Sequence, residues 1–281
     1  MMLSGRVGVV VAAAIVSLSQ GFLFTKPVWH EALQSVDVPV AAVPEVSSEG
    51  GLFPPILCIP GLTSSNLTYS LHNAASAIPD CPTDLINATL WPSPVPKTLH
   101  EYRCLLQNYG LYYDKATGTI DNRPNETVVV PDYLSFSSDA LPTSFWTTLG
   151  WTVGKNLVTA AFDWRYTPAD IPEYYDRLKA LVEETYENNN QQRVVLLAVS
   201  WGPQPTLAFL HKQEQAWKDK YIAWFIAQSP IWSGAPMAVE SLVSGFDAGT
   251  GQRELTRVVA QGAGSLLSLF PRPGTSNVTY G

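Results

Sequence analysis

Apolar and polar positions divide this chain into runs whose spacing predicts alternating strands and helices. Residues 55–60 (PILCIP) form a short apolar run closed by a Pro60-Gly61 turn signal, which predicts a buried strand. Residues 127–130 and 158–162 are further strand candidates, the second ending at Asp163-Trp164-Arg165. Ile171, Tyr174, Tyr175, Leu178, Leu181 and Val182 recur at three- and four-residue spacing, the pattern of a helix with one buried face. Asp170 is placed to cap that helix, Pro172 suits its first turn, and Glu183, Glu184 and the asparagines at 188–190 end it. Residues 193–199 are too continuously apolar to keep one face in water, so they predict a central strand of a parallel sheet. One helix over 203–219 and a strand over 222–227 follow. The strand–helix–strand–helix–strand order is that of a doubly wound α/β sheet.

The flanks read differently. A short n-region with one cation, Arg6, precedes an apolar run at 7–18, and Ser19-Gln20-Gly21 puts small residues where a signal peptidase cuts. Residues 1–21 are therefore expected to be a secretory signal; an uncleaved anchor over 7–24 is the alternative. No later stretch reaches ~18 consecutive apolar residues, so no other membrane span is expected. Residues 22–52, rich in Pro, Val, Ser and Glu, read as a lead-in. Residues 53–281 form the α/β domain, with a loop-rich insert at about 62–120.

Composition narrows the function classes. The 281 residues carry 46% apolar and 15% charged side chains, which excludes a disordered chain. Seventeen Lys and Arg against 24 acids, with no basic run, argue against nucleic acid as a partner. Four glycosylation sequons, at Asn66, Asn87, Asn125 and Asn277, agree with secretory entry. Of three cysteines, Cys58 sits in the first strand and reads as a buried thiol. Cys81 and Cys104 can close one loop in an oxidising compartment; three unpaired thiols are the alternative. No His/Cys cluster at ligand spacing stands out, so neither a metal nor another cofactor is expected.

The junction that carries chemistry is Leu197-Ala198-Val199-Ser200-Trp201-Gly202-Pro203. A buried strand runs into a serine and then directly into a helix, with small residues two before and two after it. That is what a nucleophile elbow needs, with Ala198 in place of the usual first glycine. A helix-capping serine is the competing reading. An acyl-transfer serine also needs two oxyanion-binding N–H groups. The residue after it, Trp201, offers one, and Leu62, after the Pro60-Gly61 turn, offers the other.

Several blocks together resemble the lecithin–cholesterol acyltransferase family, which includes lysosomal phospholipases and phospholipid:diacylglycerol acyltransferases. They are residues 56–61 (ILCIPG) with Asn66-Leu67, Phe162-Asp163-Trp164-Arg165, Glu173-Tyr174-Tyr175, Leu181 to Glu184, Ser200-Trp201-Gly202, Gln215-Ala216-Trp217-Lys218-Asp219 and Ile226 to Gly234. The resemblance spans roughly residues 53–280. It implies an α/β-hydrolase fold in which Ser200 is the acyl nucleophile and the Leu62 and Trp201 N–H groups bind the oxyanion. It also implies that Cys81 and Cys104 close a membrane-binding loop anchored by Trp91. The implied activity is that of an O-acyltransferase or phospholipase, moving an acyl group from a phospholipid donor to a sterol or glyceride alcohol, or to water, at a lipid surface. Asp163 and Arg165 read as a structural ion pair.

The rest of a catalytic triad is not evident. In this fold the acid and base follow the serine. His211 is the single histidine after Ser200, and eleven residues of helix would hold the two roughly 16 Å apart, far beyond hydrogen-bond reach. His30, His72 and His100 precede the serine, and Asp247 lies on a late loop. The chain is therefore expected to stop short of the family's last strands, acid and base. One sheet edge would then stay open, and the isolated chain would be poorly soluble and inactive. A catalytically inactive lipid-binding protein is the rival from another class.

Overall fold

The computed structural model describes residues 8–12 as backbone, and residues 53–92, 97–131, 143–246 and 253–271. In chain order the strands are β1 (Gly8–Ala12), β2 (Ile56–Ile59), β3 (Leu67–Leu71), β4 (Leu85–Trp91), β5 (Tyr112–Asp114), β6 (Thr119–Asp121), β7 (Glu126–Val129), β8 (Leu157–Thr159), β9 (Val194–Val199) and β10 (Ile222–Gln228). The helices are α1 (Leu99–Leu106), α2 (Thr143–Thr148), α3 (Pro172–Asn188), α4 (Pro203–Lys212), α5 (Gln215–Tyr221), α6 (Pro236–Val243), α7 (Arg253–Gln261) and α8 (Gly264–Ser268).

Five strands form a parallel sheet in the order β1-β10-β9-β2-β8. All six residues of β9 are buried, as the unbroken apolar run requires of a central strand. Side chains alternate between the two faces. Leu57, Ile59, Leu196, Ala198, Phe225 and Ala227 join the larger core, which α3 covers with Tyr174, Tyr175, Leu178 and Val182, and α4 with Phe209 and Leu210. Ile56, Cys58, Val195, Leu197 and Val199 face the other way, against Trp146 and Trp151.

Several expectations change in detail. Asp170 does not cap α3: it accepts the Thr167 hydroxyl, and Ile171 occupies the cap position without a side-chain hydrogen bond. The single helix expected over 203–219 is two, because Gln213 and Glu214 are extended. The break turns α5 so that Trp217 packs edge-on against Phe209, at 5.7 Å between ring centres, and donates its indole N–H to Glu183 at 2.6 Å. The 127–130 strand forms as β7 but belongs to a separate antiparallel sheet, β4-β3-β7. The apolar run expected as a secretory leader contributes β1, which pairs in parallel with the edge of β10 that was expected to stay open. The remainder of residues 1–52 lies outside the described residues. Among the described residues no helix is long and apolar enough to cross a membrane.

The insert is more ordered than a loop-rich segment. Leu67, Tyr69 and Leu71 are buried alternately with half-buried neighbours, which is the period of a strand with one packed face. Thr98 caps α1 by accepting the Glu101 N–H at 3.1 Å, while the Glu101 carboxylate accepts the Lys97 N–H at 2.7 Å. A disulfide joins Cys81 to Cys104 in α1, with the Cα atoms 5.4 Å apart.

A buried polar joint fastens this insert to the parallel sheet. Arg165 is fully buried and grips Asp163 through Nη2 at 2.7 Å and Nε at 3.0 and 3.2 Å. Its remaining donors reach Asn122 Oδ1 at 2.7 Å and the Asn108 and Tyr109 carbonyls at 3.3 and 3.4 Å. Arg165→Met leaves these acceptors unpaired. It is expected to cost about 3–5 kcal/mol, read as a lower urea midpoint, with Arg165→Lys recovering part of the loss.

Beside this joint Glu126 is paired with Arg123 at 3.2 Å. Burial pushes its carboxyl up to about 7, against the opposing pull of the Arg123 and Arg165 charges. A carboxyl raised on folding binds its proton more tightly in the native state than in the unfolded chain. Stability therefore falls as pH rises from about 4.5, the ordinary value, through about 7. Urea midpoints measured across that window should decline in the wild type and flatten in Glu126→Gln.

Candidate active site

Ser200 lies where β9 turns into α4, and the sequence leaves the turn little choice. Gly202 is pressed against the end of β2: a Cβ there would stand 2.6 Å from the Pro60 carbonyl oxygen and 2.7 Å from that of Ile59. A Cβ on Gly61 would approach the Ser200 Cβ to 3.0 Å. Position 202 accepts only glycine without displacing backbone, and a side chain at position 61 would press on Ser200 and on the Val199 carbonyl oxygen, 3.2 Å away. Ser200 takes a left-handed conformation, φ 58°, uncommon outside glycine and costly enough to need support. Support comes from both sides. The Ser200 N–H donates to the Gln228 carbonyl at 2.9 Å, and the Ser200 carbonyl accepts the Ile231 N–H at 3.3 Å.

This is the elbow that the sequence pattern predicts. The serine is half-buried at the start of α4, whose free N–H groups and dipole favour negative charge. The Gly61 turn, which carries Leu62, packs against Ser200, and Trp201 follows it. Neither the Leu62 nor the Trp201 N–H is hydrogen-bonded among the described residues. The Trp201 ring is fully buried, 5.5 Å from Phe162, and its indole N–H donates to Ser268 Oγ at 3.1 Å. That indole role has no signature in the sequence, because Ser268 lies 67 residues away.

The other candidates lie elsewhere. His211 is exposed in the last turn of α4, and His72 is exposed in the insert. His30 and Asp247 lie outside the described residues. Among the described residues no histidine or carboxylate contacts the Ser200 hydroxyl. Cys58 is a buried free thiol, pushed up to about 12 by burial, which leaves it inert as a nucleophile.

Trp91 is half-buried. Its indole N–H donates to the Thr63 carbonyl at 2.6 Å, and its ring meets Trp164 and Tyr109 edge-on at 5.6 and 6.3 Å. This is a packing position. The apolar side chains that stand out near the disulfide are Ile86, 78% exposed, and Leu99, 65% exposed. Of the sequon asparagines, Asn87 and Asn125 are exposed and Asn66 is half-buried, while Asn277 lies outside the described residues. Asn125 Nδ2 donates to the Asn73 carbonyl at 3.2 Å. One cluster was not anticipated: His100 Nε2 lies 3.5 Å from Cys104 Sγ.

The chain is similar in sequence to several known proteins. The chain is 34% identical to the phosphatidylcholine-sterol acyltransferase of Gallus gallus over 158 residues, which is 52% of this chain and 38% of the relative. It is 29% identical to the lysosomal phospholipase A and acyltransferase of Homo sapiens over 210 residues, 69% of this chain and 51% of the relative. The human phosphatidylcholine-sterol acyltransferase is 32% identical over 158 residues, 52% of this chain and 36% of the relative. The chain thus spans about half the length of these relatives or less. The family model for lecithin:cholesterol acyltransferase matches residues 88–280, most of the chain, with Ser200 inside the match and the Gly61 turn before it, and the chain belongs to that family.

Proposed function

We propose that Ser200 is the nucleophile of a lipid acyltransferase or phospholipase in an α/β-hydrolase fold. The observation that carries this reading is the elbow, with Ser200 held at positive φ against the Gly61 turn and two unengaged backbone N–H groups beside it. The Ser200 oxygen attacks the carbonyl carbon of a phospholipid acyl ester. The Leu62 and Trp201 N–H groups hold the oxyanion of the tetrahedral intermediate. The lysophospholipid alcohol departs with a proton, leaving an acyl-serine. A sterol or glyceride hydroxyl, or water, then attacks that ester and restores the serine. The proton transfers need a base oriented by an acid. No described histidine or carboxylate contacts Ser200, so both roles fall to groups outside the described residues.

The donor lies in an aggregate, so the enzyme works at a lipid surface. The disulfide-closed segment is the proposed contact, with Ile86 and Leu99 outward and Trp91 bracing it from beneath. Secretory entry, with the exposed Asn87 and Asn125 as glycan acceptors, completes the reading. The relatives' names, one of them lysosomal, are compatible with it.

The test uses the full-length gene product, with phospholipid vesicles and a labelled acyl chain. Acyl transfer or fatty-acid release is expected, and Ser200→Ala should lower it at least ~10³-fold. Turnover unaffected by Ser200→Ala would overturn the assignment. Vesicle binding without any turnover would favour the inactive lipid-binding reading. Gly202→Ala pushes a methyl into the Pro60 and Ile59 carbonyls. It should cost about 1–3 kcal/mol of stability, measured by urea denaturation, and lower turnover by opening the elbow.

A further inference from the structure

The cluster beside the disulfide has a geometry that the acyl-transfer reading does not use. His100 and Cys104 sit four residues apart on one face of α1, and Cys81 approaches from the loop before β4. His100 is exposed, yet its Nε2 turns inward, 3.5 Å from Cys104 Sγ and 3.5 Å from the Asp80 carbonyl oxygen. That nitrogen and both sulfurs lie within 4.8 Å of one another. A tetrahedral zinc ion with Zn–S of about 2.3 Å and Zn–N of about 2.0–2.1 Å sets its nitrogen and sulfur ligands about 3.5 Å apart. His100 and Cys104 already stand at that separation. The two sulfurs would have to part to roughly 3.7 Å. With the Cα atoms 5.4 Å apart, side-chain rotation is enough once the S–S bond is cut.

We propose that, when the Cys81–Cys104 disulfide is reduced, Cys81, His100 and Cys104 form a site for a thiophilic divalent cation, Zn²⁺ above all. Two thiolates and an imidazole suit zinc and disfavour the hard cations Mg²⁺ and Ca²⁺. A cavity of about 630 Å³ lined by Asp80, Lys97, His100, Glu101 and Cys104 gives the ion an approach, and leaves its fourth position to water or to one of the two carboxylates. The chemistry balances. A phosphine reductant and one water convert the disulfide to two thiols and the phosphine oxide. The cation then displaces the two thiol protons. Cys81 and Cys104 thus fasten α1 to the loop before β4 in either redox state, through a covalent bond or, with His100, through a metal. This inference does not depend on Ser200 or on catalysis.

The experiment uses the whole purified chain, reduced by a phosphine without oxygen, with Co²⁺ as the spectroscopic probe. The reduced protein should bind one Co²⁺ with a thiolate-to-cobalt charge-transfer band that Zn²⁺ bleaches. The oxidised protein should show no such band. Zn²⁺ should raise the melting temperature of the reduced chain and not that of the oxidised chain. His100→Ala should weaken Co²⁺ binding at least ~10-fold, since it removes a direct ligand, while leaving the circular dichroism of the oxidised protein unchanged. Cys58→Ala should keep the band, which separates the site from the remaining thiol. Absence of the band in reduced protein would overturn the proposal. So would wild-type affinity in His100→Ala, or a reduced chain that Zn²⁺ neither stabilises nor refolds.

Discussion

The close approach of two turns governs this structure. The end of β2 and the end of β9 are adjacent strand ends in a parallel sheet, and both chains must leave the sheet in the same place. They clear each other because residues 61 and 202 have no side chains: the Pro60 carbonyl oxygen lies 2.6 Å from where a Gly202 Cβ would be. Ser200 absorbs the resulting bend as a left-handed residue, a conformation that costs about 1–3 kcal/mol at a non-glycine position. The burial of all of β9, and the bonds from Ser200 to Gln228 and Ile231, hold that strain in place. The same crowding aims the serine, opens the Leu62 and Trp201 N–H groups, and starts α4 at once behind them. Geometry that looks functional is here a consequence of how two strands share one edge of space.

The second constraint is electrostatic and works at the other boundary of the domain. In the Asp163-Trp164-Arg165 block two side chains reach away to different segments, while Asp163 holds the Arg165 guanidinium. Trp164 donates its indole N–H to the Ser65 carbonyl at 3.2 Å and meets Trp91, while Arg165 reaches Asn108, Tyr109 and Asn122. A buried guanidinium is tolerable only with its donors filled, and here they are. The neighbouring Arg123 and Glu126 are less well served. Arg123 Nη2 and Glu126 Oε1 are buried without hydrogen-bond partners, which is why desolvation outweighs ion pairing at Glu126 and its carboxyl rises.

Much of this was legible in the sequence where a single physical demand acts on a contiguous stretch. The unbroken apolar run of β9, the 3–4 spacing of α3 and the small residues around Ser200 each answer to one local requirement, and each reads correctly. Legibility fails where partners are distant or signals compete. The alternation at Leu67–Leu71 was masked by the polar loops around it, although Thr98-x-x-Glu101 announces the start of α1 in plain form. Nothing near Gln213 marks the break between α4 and α5, whose packing is seen only in the contacts of Trp217 with Phe209 of α4 and Glu183 of α3. The family resemblance makes Trp91 a membrane anchor. Its indole N–H needs an acceptor, and it finds one in the Thr63 carbonyl and a packed place against Trp164. The cluster of His100 and Cys104 escapes the sequence reading, because its meaning depends on Cys81 arriving from another loop.

Catalytic work divides along the same line. On the proposed mechanism, positioning the nucleophile and binding an oxyanion are local tasks that fall to β2, β9 and the first turn of α4. Moving protons is not local, since a base must be brought to Ser200 by a different strand and held there by an acid. In serine hydrolases, loss of triad members still leaves roughly 10³–10⁴-fold acceleration over water, attributable to the oxyanion hole and to binding. On the proposed mechanism, the described residues supply that electrostatic share, and the larger share from proton transfer lies with groups that the elbow neither contacts nor determines. The elbow can therefore stay intact while activity is gained or lost elsewhere. An unstrained Ser200, with its hydroxyl withdrawn from the Leu62 and Trp201 N–H groups, would forfeit both shares at once, because the base would have nothing to activate.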